Sequence, residues 1–201
     1  MPEPIAFYFD FSSPYAYFAA QKIDEVAMEF GGREVEWKPF LLGVAMKTTK
    51  NEPLAHQPMK GEYSEQDWDR LARFMKVPWK MPVHFPIASL TPARAYYWIL
   101  DRDKDLAKEF ARACFHSYYA EGSDIRSVDV IVEIGKSVGL DGDELRDAVR
   151  DGEIKERLKD ETWAAVQAGV FRSPFFIVDG EKFWGSDRIW MIKRWLKTSG
   201  W

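Results

Sequence analysis

Ile5-Ala6-Phe7-Tyr8-Phe9-Asp10-Phe11-Ser12-Ser13-Pro14-Tyr15-Ala16 decides how the rest of this chain is read. Its first five residues are apolar and aromatic, the composition of a short buried strand. From Ser13 onward Tyr17, Phe18, Ala20, Ile23, Val26, Ala27 and Phe30 recur at three- and four-residue steps. That spacing predicts one face of a helix, ended by Gly31-Gly32. Val35-Glu36-Trp37-Lys38-Pro39-Phe40 then alternates as a second strand. Two strands joined by a helix are expected to lie parallel, through a right-handed crossover. Asp10 to Ala16 therefore sits where a strand hands over to a helix.

The far end of the chain has the same character. Phe175-Phe176-Ile177-Val178 reads as a strand, Asp179-Gly180 as a hairpin turn and Lys182-Phe183-Trp184 as a short antiparallel partner. A closing helix is expected over Asp187 to Lys197, with Ile189, Ile192, Trp195 and Leu196 on its apolar face. Between the ends, residues 41–63 read as a long connection carrying Gly43, Pro53, Pro58 and Gly61. Helices are expected near 64–76, 90–102, 104–120, 127–138, 142–150 and 153–168, with breaks at 78–86, Gly122, Gly139 and Gly152. Strand–helix–strand first and strand–hairpin–helix last is the plan of a thioredoxin-like core. The expected fold class is α/β, a thioredoxin-like core with an inserted all-helical domain. Residues 1–42 and 171–201 would form the discontinuous thioredoxin-like domain, and 43–170 the connecting loop and helical insertion.

Composition narrows the function classes. The 201 residues are 46% hydrophobic and 30% charged, as in ordinary globular proteins. A net charge of −4 argues against nucleic acid or an anionic membrane as partner. No apolar run approaches the roughly 20 residues of a membrane span. The start, Met1-Pro2-Glu3-Pro4, lacks the features of a signal peptide, so a cytoplasmic location is expected. The single cysteine, Cys114, rules out an internal disulfide and any dithiol cycle run by this chain alone. Its helical, apolar surroundings suit a buried, inert thiol. Aromatic content of 15%, with nine tryptophans, is enough for both a core and an apolar ligand pocket. His56, His84 and His116 show no metal-ligand spacing, and no phosphate-binding glycine loop is present, so no metal is expected.

The chemistry centres on the first strand–helix junction. A thioredoxin-like oxidoreductase carries Cys-x-x-Cys there, whereas the same four places here read Ser13-Pro14-Tyr15-Ala16, without sulfur. Ser13-Pro14 suits a plain N-cap and first helical residue. The same geometry also suits a thiolate brought by another molecule. Free N–H groups, the positive dipole end and the Ser13 hydroxyl would together lower its pKa into the range of roughly 3.5–7.5 seen for such thiols. Ser173-Pro174, just before a strand, is either an edge proline or a cis turn whose backbone faces a bound cysteinyl peptide. Gly185-Ser186-Asp187-Arg188 reads as an N-cap, or as a receiver for the carboxylate and ammonium of an amino-acid-like zwitterion. Asn51 and Lys60, taken alone, are solvated loop residues.

These stretches together resemble the 2-hydroxychromene-2-carboxylate isomerases and their relatives, the kappa-class glutathione transferases. The anchors are Phe7 to Tyr15, Phe85-Pro86, Ser173-Pro174 and Trp184-Gly185-Ser186-Asp187-Arg188, and the likeness spans essentially the whole chain. The resemblance implies glutathione as cofactor, with catalytic Ser13 beside its sulfur and Pro14 and Tyr15 adjoining. It implies Asn51 and Lys60 as further glutathione-binding residues. Ser173 and Pro174 would pair with the cysteinyl unit, and Gly185, Ser186 and Asp187 would hold the γ-glutamyl end. The implied reaction interconverts 2-hydroxychromene-2-carboxylate and trans-o-hydroxybenzylidenepyruvate by reversible thiol addition, with Lys47 or Lys50 at the substrate carboxylate. A small aromatic substrate and a homodimer follow from the same resemblance. The isomerases of naphthalene breakdown place an arginine after the loop asparagine, where this chain has Glu52, so the substrate here can differ. Ser186 follows the transferase pattern; Trp184 and the short end at Trp201 follow the isomerases. A kappa-like transferase that consumes the thiol is one alternative reading. A non-catalytic thioredoxin-like peptide-binding module is another.

Overall fold

The computed structural model describes residues 3–201, so the reading of Met1-Pro2 as part of a leaderless start lies outside the described residues. The sheet has four strands in the order β2-β1-β3-β4. Strand β1 (Ile5–Phe9) pairs in parallel with β2 (Val35–Pro39) and antiparallel with β3 (Phe175–Val178), which pairs antiparallel with β4 (Glu181–Trp184). Both ends of the chain thus share one sheet, and most of the helices come from the sequence between them, among them α6 (Lys104–His116), α7 (Val128–Ser137), α8 (Gly142–Ala148) and α9 (Gly152–Gln167). This is the α/β thioredoxin-like core with its helical insertion.

The two-residue period of β1 decides what each face buries. Ile5, Phe7 and Phe9 are fully buried on one face. There the Phe7 ring stacks on Phe176 and Phe9 at 5.1 Å and meets Trp37 edge-on at 5.1 Å. Tyr8, Phe175 and Ile177 point to the other face, against Phe40, Ala45, Ala165 and Val170. Each fully buried phenylalanine contributes about 2 kcal/mol of transfer free energy. The phenylalanines of the first strand thus tie the sheet into the larger aromatic core.

β2 is an edge strand, and an unpaired edge exposes backbone groups that must be satisfied. Helix α5 (Leu90–Leu100) covers it. The Tyr96 hydroxyl donates to the Trp37 carbonyl at 2.8 Å and the Tyr97 hydroxyl to the Pro39 carbonyl at 2.6 Å. Burial pushes both phenols above their usual range, so both remain protonated donors. Pro39 tolerates its place because an odd-numbered residue of β2 faces away from β1, where no ladder N–H is missing.

Two expectations are corrected. The helix read from Ser13 to Phe30 is two helices, α1 (Pro14–Ala20) and α2 (Ile23–Gly31), parted at Gln21-Lys22. No glycine or proline marks that break. It follows from packing, since α1 lies against α4 (Lys60–Met75) while α2 lies against α10 (Ile189–Thr198). The connection over 41–63 is also more ordered than its composition suggests. It holds α3 (Leu42–Thr48) and a short 3-10 turn (Leu54–His56), and α4 begins at Lys60. Ala45 and Leu42 pack on Phe40 and Phe175, and that burial outweighs the low helix propensity of Gly43.

The hairpin turn has positive φ at both Asp179 (52°) and Gly180 (83°), as a two-residue Asp-Gly turn requires. The Asp179 carboxylate accepts from Arg33 at 2.5 Å and from the Trp195 indole at 3.0 Å, tying the turn to the α2–β2 junction and to α10. The Arg33 contact holds its carboxyl below the usual range.

Two outcomes are expected. Tyr97→Phe, which strands the Pro39 carbonyl, lowers stability by about 1–2 kcal/mol in urea unfolding; an unchanged midpoint contradicts the edge argument. Asp179→Asn, which keeps the turn conformation, costs about 0.5 kcal/mol at neutral pH because the pair is partly exposed. A carboxyl whose folded pKa is lowered stabilises above its unfolded value of about 3.9 and loses that effect as pH falls through the folded value. The difference between wild type and Asp179→Asn therefore closes on acidification below that point. A constant gap at all pH values contradicts the ion pair.

Candidate functional site

The site is organised around a carboxylate that the sequence reading passed over. Asp10 follows β1 directly and is 4% exposed. Its Oδ1 accepts from the Ser12 N–H at 2.8 Å and from the Ser89 hydroxyl at 2.7 Å; its Oδ2 accepts from the Leu42 N–H at 2.8 Å. Its own N–H donates to Ser173 Oγ at 2.9 Å. Burial pushes the Asp10 carboxyl up while these donors pull it down, and burial prevails. The Asp10 side chain thus ties together the end of β1, the segment after β2 and the 85–89 turn, and its backbone N–H adds the loop before β3.

Ser13 stands on this frame, 5% exposed. It caps α1: its Oγ accepts from the Ala16 N–H at 3.2 Å. A carbonyl can only accept, so the Ser13 hydroxyl proton points to the Ser173 carbonyl, 3.0 Å away. Pro14 brings no N–H, and the Ala16 and Tyr17 N–H groups both reach Ser13. The Tyr15 N–H has no partner among the described residues. With α1 only seven residues long, the local donors matter more than a long helix dipole at this start.

The Ser173-Pro174 peptide bond is cis, as is Phe85-Pro86. Ser12 Oγ accepts from the Ile87 N–H at 2.9 Å and so fixes the second of these turns beside the first. On one side of Ser173, the Pro174 carbonyl accepts from the Gly185 N–H at 3.0 Å, which brings Gly185, Ser186 and Asp187 to the site. Gly185 has φ 107°, a conformation that requires glycine. Ser186 caps no helix: Ser186–Arg188 is a 3-10 turn and α10 starts at Ile189. Asp187 is exposed and pairs with Arg188 at 2.7 Å.

Asn51 and Lys60 bond within their own segment. Asn51 Nδ2 donates to Thr49 Oγ1 at 2.8 Å, and Lys60 Nζ to Gln57 Oε1 at 2.9 Å. Neither side chain hydrogen-bonds to Ser13 or Ser173. Lys47 and Lys50 are exposed. Tyr15 turns to the helical layer: its hydroxyl donates to Asp67 Oδ2 at 2.9 Å, and its ring meets Trp68 edge-on at 6.1 Å. Burial, and then Asp67, push this phenol up, so it stays neutral. Trp68 also packs on Phe85 at 5.3 Å, giving the site an aromatic flank. Cys114 is fully buried, and burial pushes its thiol well up, so it takes no part in this chemistry.

The sequence reading missed Asp10, Ser12 and Ser89. Asp10 had one signal, an acid directly after an apolar strand. Ser89 looks like an N-cap, yet it makes no capping bond and turns to Asp10 instead.

A model of the DSBA-like thioredoxin domain matches residues 4–197. A 2-hydroxychromene-2-carboxylate isomerase of Sphingobium xenophagum is 30% identical over 98% of this chain and 99% of its own. Glutathione S-transferase kappa 2 of Caenorhabditis elegans is 28% identical over 92% of this chain and 88% of its own. Among solved structures, a 2-hydroxychromene-2-carboxylate isomerase superposes with a TM-score of 0.86, at 22% identity over 94% of this chain and 92% of that one.

Asp10→Asn should test the frame. An amide cannot accept at both ends, so one of three buried donors is left facing an N–H. The expected cost is about 2 kcal/mol in urea unfolding; wild-type stability would show that the loops hold without the carboxylate.

Proposed function

This chain belongs to the DSBA-like thioredoxin domain family, as a member of the 2-hydroxychromene-2-carboxylate isomerase group within it, and on that premise we propose that it is a glutathione-dependent isomerase. Its substrate is a small aromatic α-keto acid of the trans-o-hydroxybenzylidenepyruvate type. The observation that carries this reading is the sulfur-free helix start. There the Ser13 hydroxyl is aimed at the Ser173 carbonyl beside a Tyr15 N–H without a partner.

The residues present fit a cysteinyl peptide. When bound, glutathione would supply a thiol nucleophile able to add reversibly to the substrate alkene and be expelled unchanged. Ser13 turns its hydroxyl proton from the Ser173 carbonyl to the sulfur, with the Tyr15 N–H as a second donor. The released Ser173 carbonyl then accepts the cysteinyl N–H in strand-like pairing. These exchanges stabilise negative charge on the thiol without a base, because the donors are already in place. Ser186 and Asp187 take the γ-glutamyl zwitterion, Asp187 by leaving Arg188. Asn51 and Lys60 hold the other end. Tyr15, Trp68 and Phe85 supply the aromatic flank for the substrate.

The same reading assigns residues 1–42 and 171–201 to the thioredoxin-like domain and 43–170 to the connection and helical insertion. It also implies a homodimer acting in the cytoplasm. No helix among the described residues is long and apolar enough to cross a membrane.

Substoichiometric glutathione with excess substrate should support many turnovers per thiol. Thiol consumed in step with product would establish a transferase instead. Calorimetric titration tests the role of Ser13. Ser13→Ala should bind glutathione about tenfold more weakly at neutral pH, the worth of one hydrogen bond to a charged group. Equal affinities would remove Ser13 from the site, and no affinity in the wild type would favour a peptide-binding module.

A further inference from the structure

Arg172 precedes Ser173 and is half-buried. The guanidinium Nη1 lies 3.4 Å from the Glu52 backbone carbonyl, beside Asn51. No carboxylate pairs with it among the described residues, and burial alone lowers its pKa. A half-buried guanidinium without an anionic partner is uncommon, because desolvation is normally offset by pairing. Arg33 pairs with Asp179, Lys108 and Arg112 with Asp24, and Arg146 with Asp129, whereas Arg94, partly buried like Arg172, has no partner for its Nε; what sets Arg172 apart is its place next to Ser173.

The carbonyl that Arg172 meets is shared. Gln57 Nε2 donates to the same Glu52 oxygen at 3.0 Å, and Gln57 Oε1 accepts from Lys60 Nζ at 2.9 Å. Two cations distant in the chain, one beside the Ser173 turn and one at the start of α4, are thus linked by a backbone carbonyl and a neutral amide. The cluster carries positive charge in an acidic protein.

We infer that Arg172 is a carboxylate-binding residue of this site, acting with Lys60 and Asn51 at the end opposite Ser186 and Asp187. The inference rests on the glutathione reading above and adds a residue to it. Two ligand carboxylates have the required chemistry: the glycyl carboxylate of glutathione and that of the α-keto acid substrate. Arg172 can grip either in a bidentate fork, which lysine cannot. The side chain of Glu52, whose charge is wrong for this task, is not needed, since only its carbonyl is used. Lys47 and Lys50, exposed in solvent, are poorer candidates than Arg172.

The test compares wild type, Arg172→Gln and Arg172→Lys by calorimetric titration with glutathione and with its glycyl monoethyl ester. Wild type should prefer the free acid about tenfold. Arg172→Gln should lose about tenfold in affinity for the acid and little for the ester, and Arg172→Lys should recover part of the loss. A second arm measures KM for trans-o-hydroxybenzylidenepyruvate and for its methyl ester. A rise confined to the acid in Arg172→Gln, with glutathione affinity unmoved, assigns the same site to the substrate carboxylate. Circular dichroism and Tm matching wild type exclude misfolding. Wild-type binding and KM that Arg172→Gln leaves unchanged in both arms overturn this inference alone. A wild type that binds no glutathione overturns the glutathione reading, and this inference with it.

Discussion

The site depends on one buried carboxylate. Asp10 gathers three donors from segments far apart in the chain, and its own N–H holds Ser173 from a fourth. A carboxylate at this depth is unfavourable on its own, and the three donors offset part of the cost of its burial. The geometry of Ser13 follows, since Ser13 and Ser173 hang on the same short stretch. The aromatic core makes a stiff floor for it: Phe7, Phe9 and Phe176 leave β1 and β3 little room to shift.

That floor explains how the fold serves without sulfur. In a dithiol enzyme the nucleophile is part of the chain. Here the helix start offers a hydroxyl and a free N–H at the corresponding place, and the cis turn offers a carbonyl now held by that hydroxyl. The two can part without leaving a polar group unpaired, provided a ligand brings both an anion and an N–H. A cysteinyl peptide brings both.

The sheet, the hairpin and the order of the elements were legible in the sequence because they rest on local signals: a five-residue apolar strand, alternation in β2, and Asp-Gly between β3 and β4. The break at Gln21-Lys22 was not, because good helix formers occupy it and tertiary packing imposes it. The order in α3 was hidden for the converse reason, a glycine inside a segment held by burial. Within the site, Ser13, Ser173 and Gly185 were readable as helix start, turn and hairpin exit. Asp10, Ser89 and Arg172 were not, since their roles are bonds across 32 to 120 positions in the chain.

The central claim is that the Ser13–Ser173 bond opens to receive a thiol peptide. A crystal structure with glutathione tests it most directly. The account predicts the sulfur within hydrogen-bond reach of Ser13 Oγ and the Tyr15 N–H, with the cysteinyl N–H on the Ser173 carbonyl. Glutathione bound elsewhere, with the Ser13 hydroxyl still on Ser173, would contradict it.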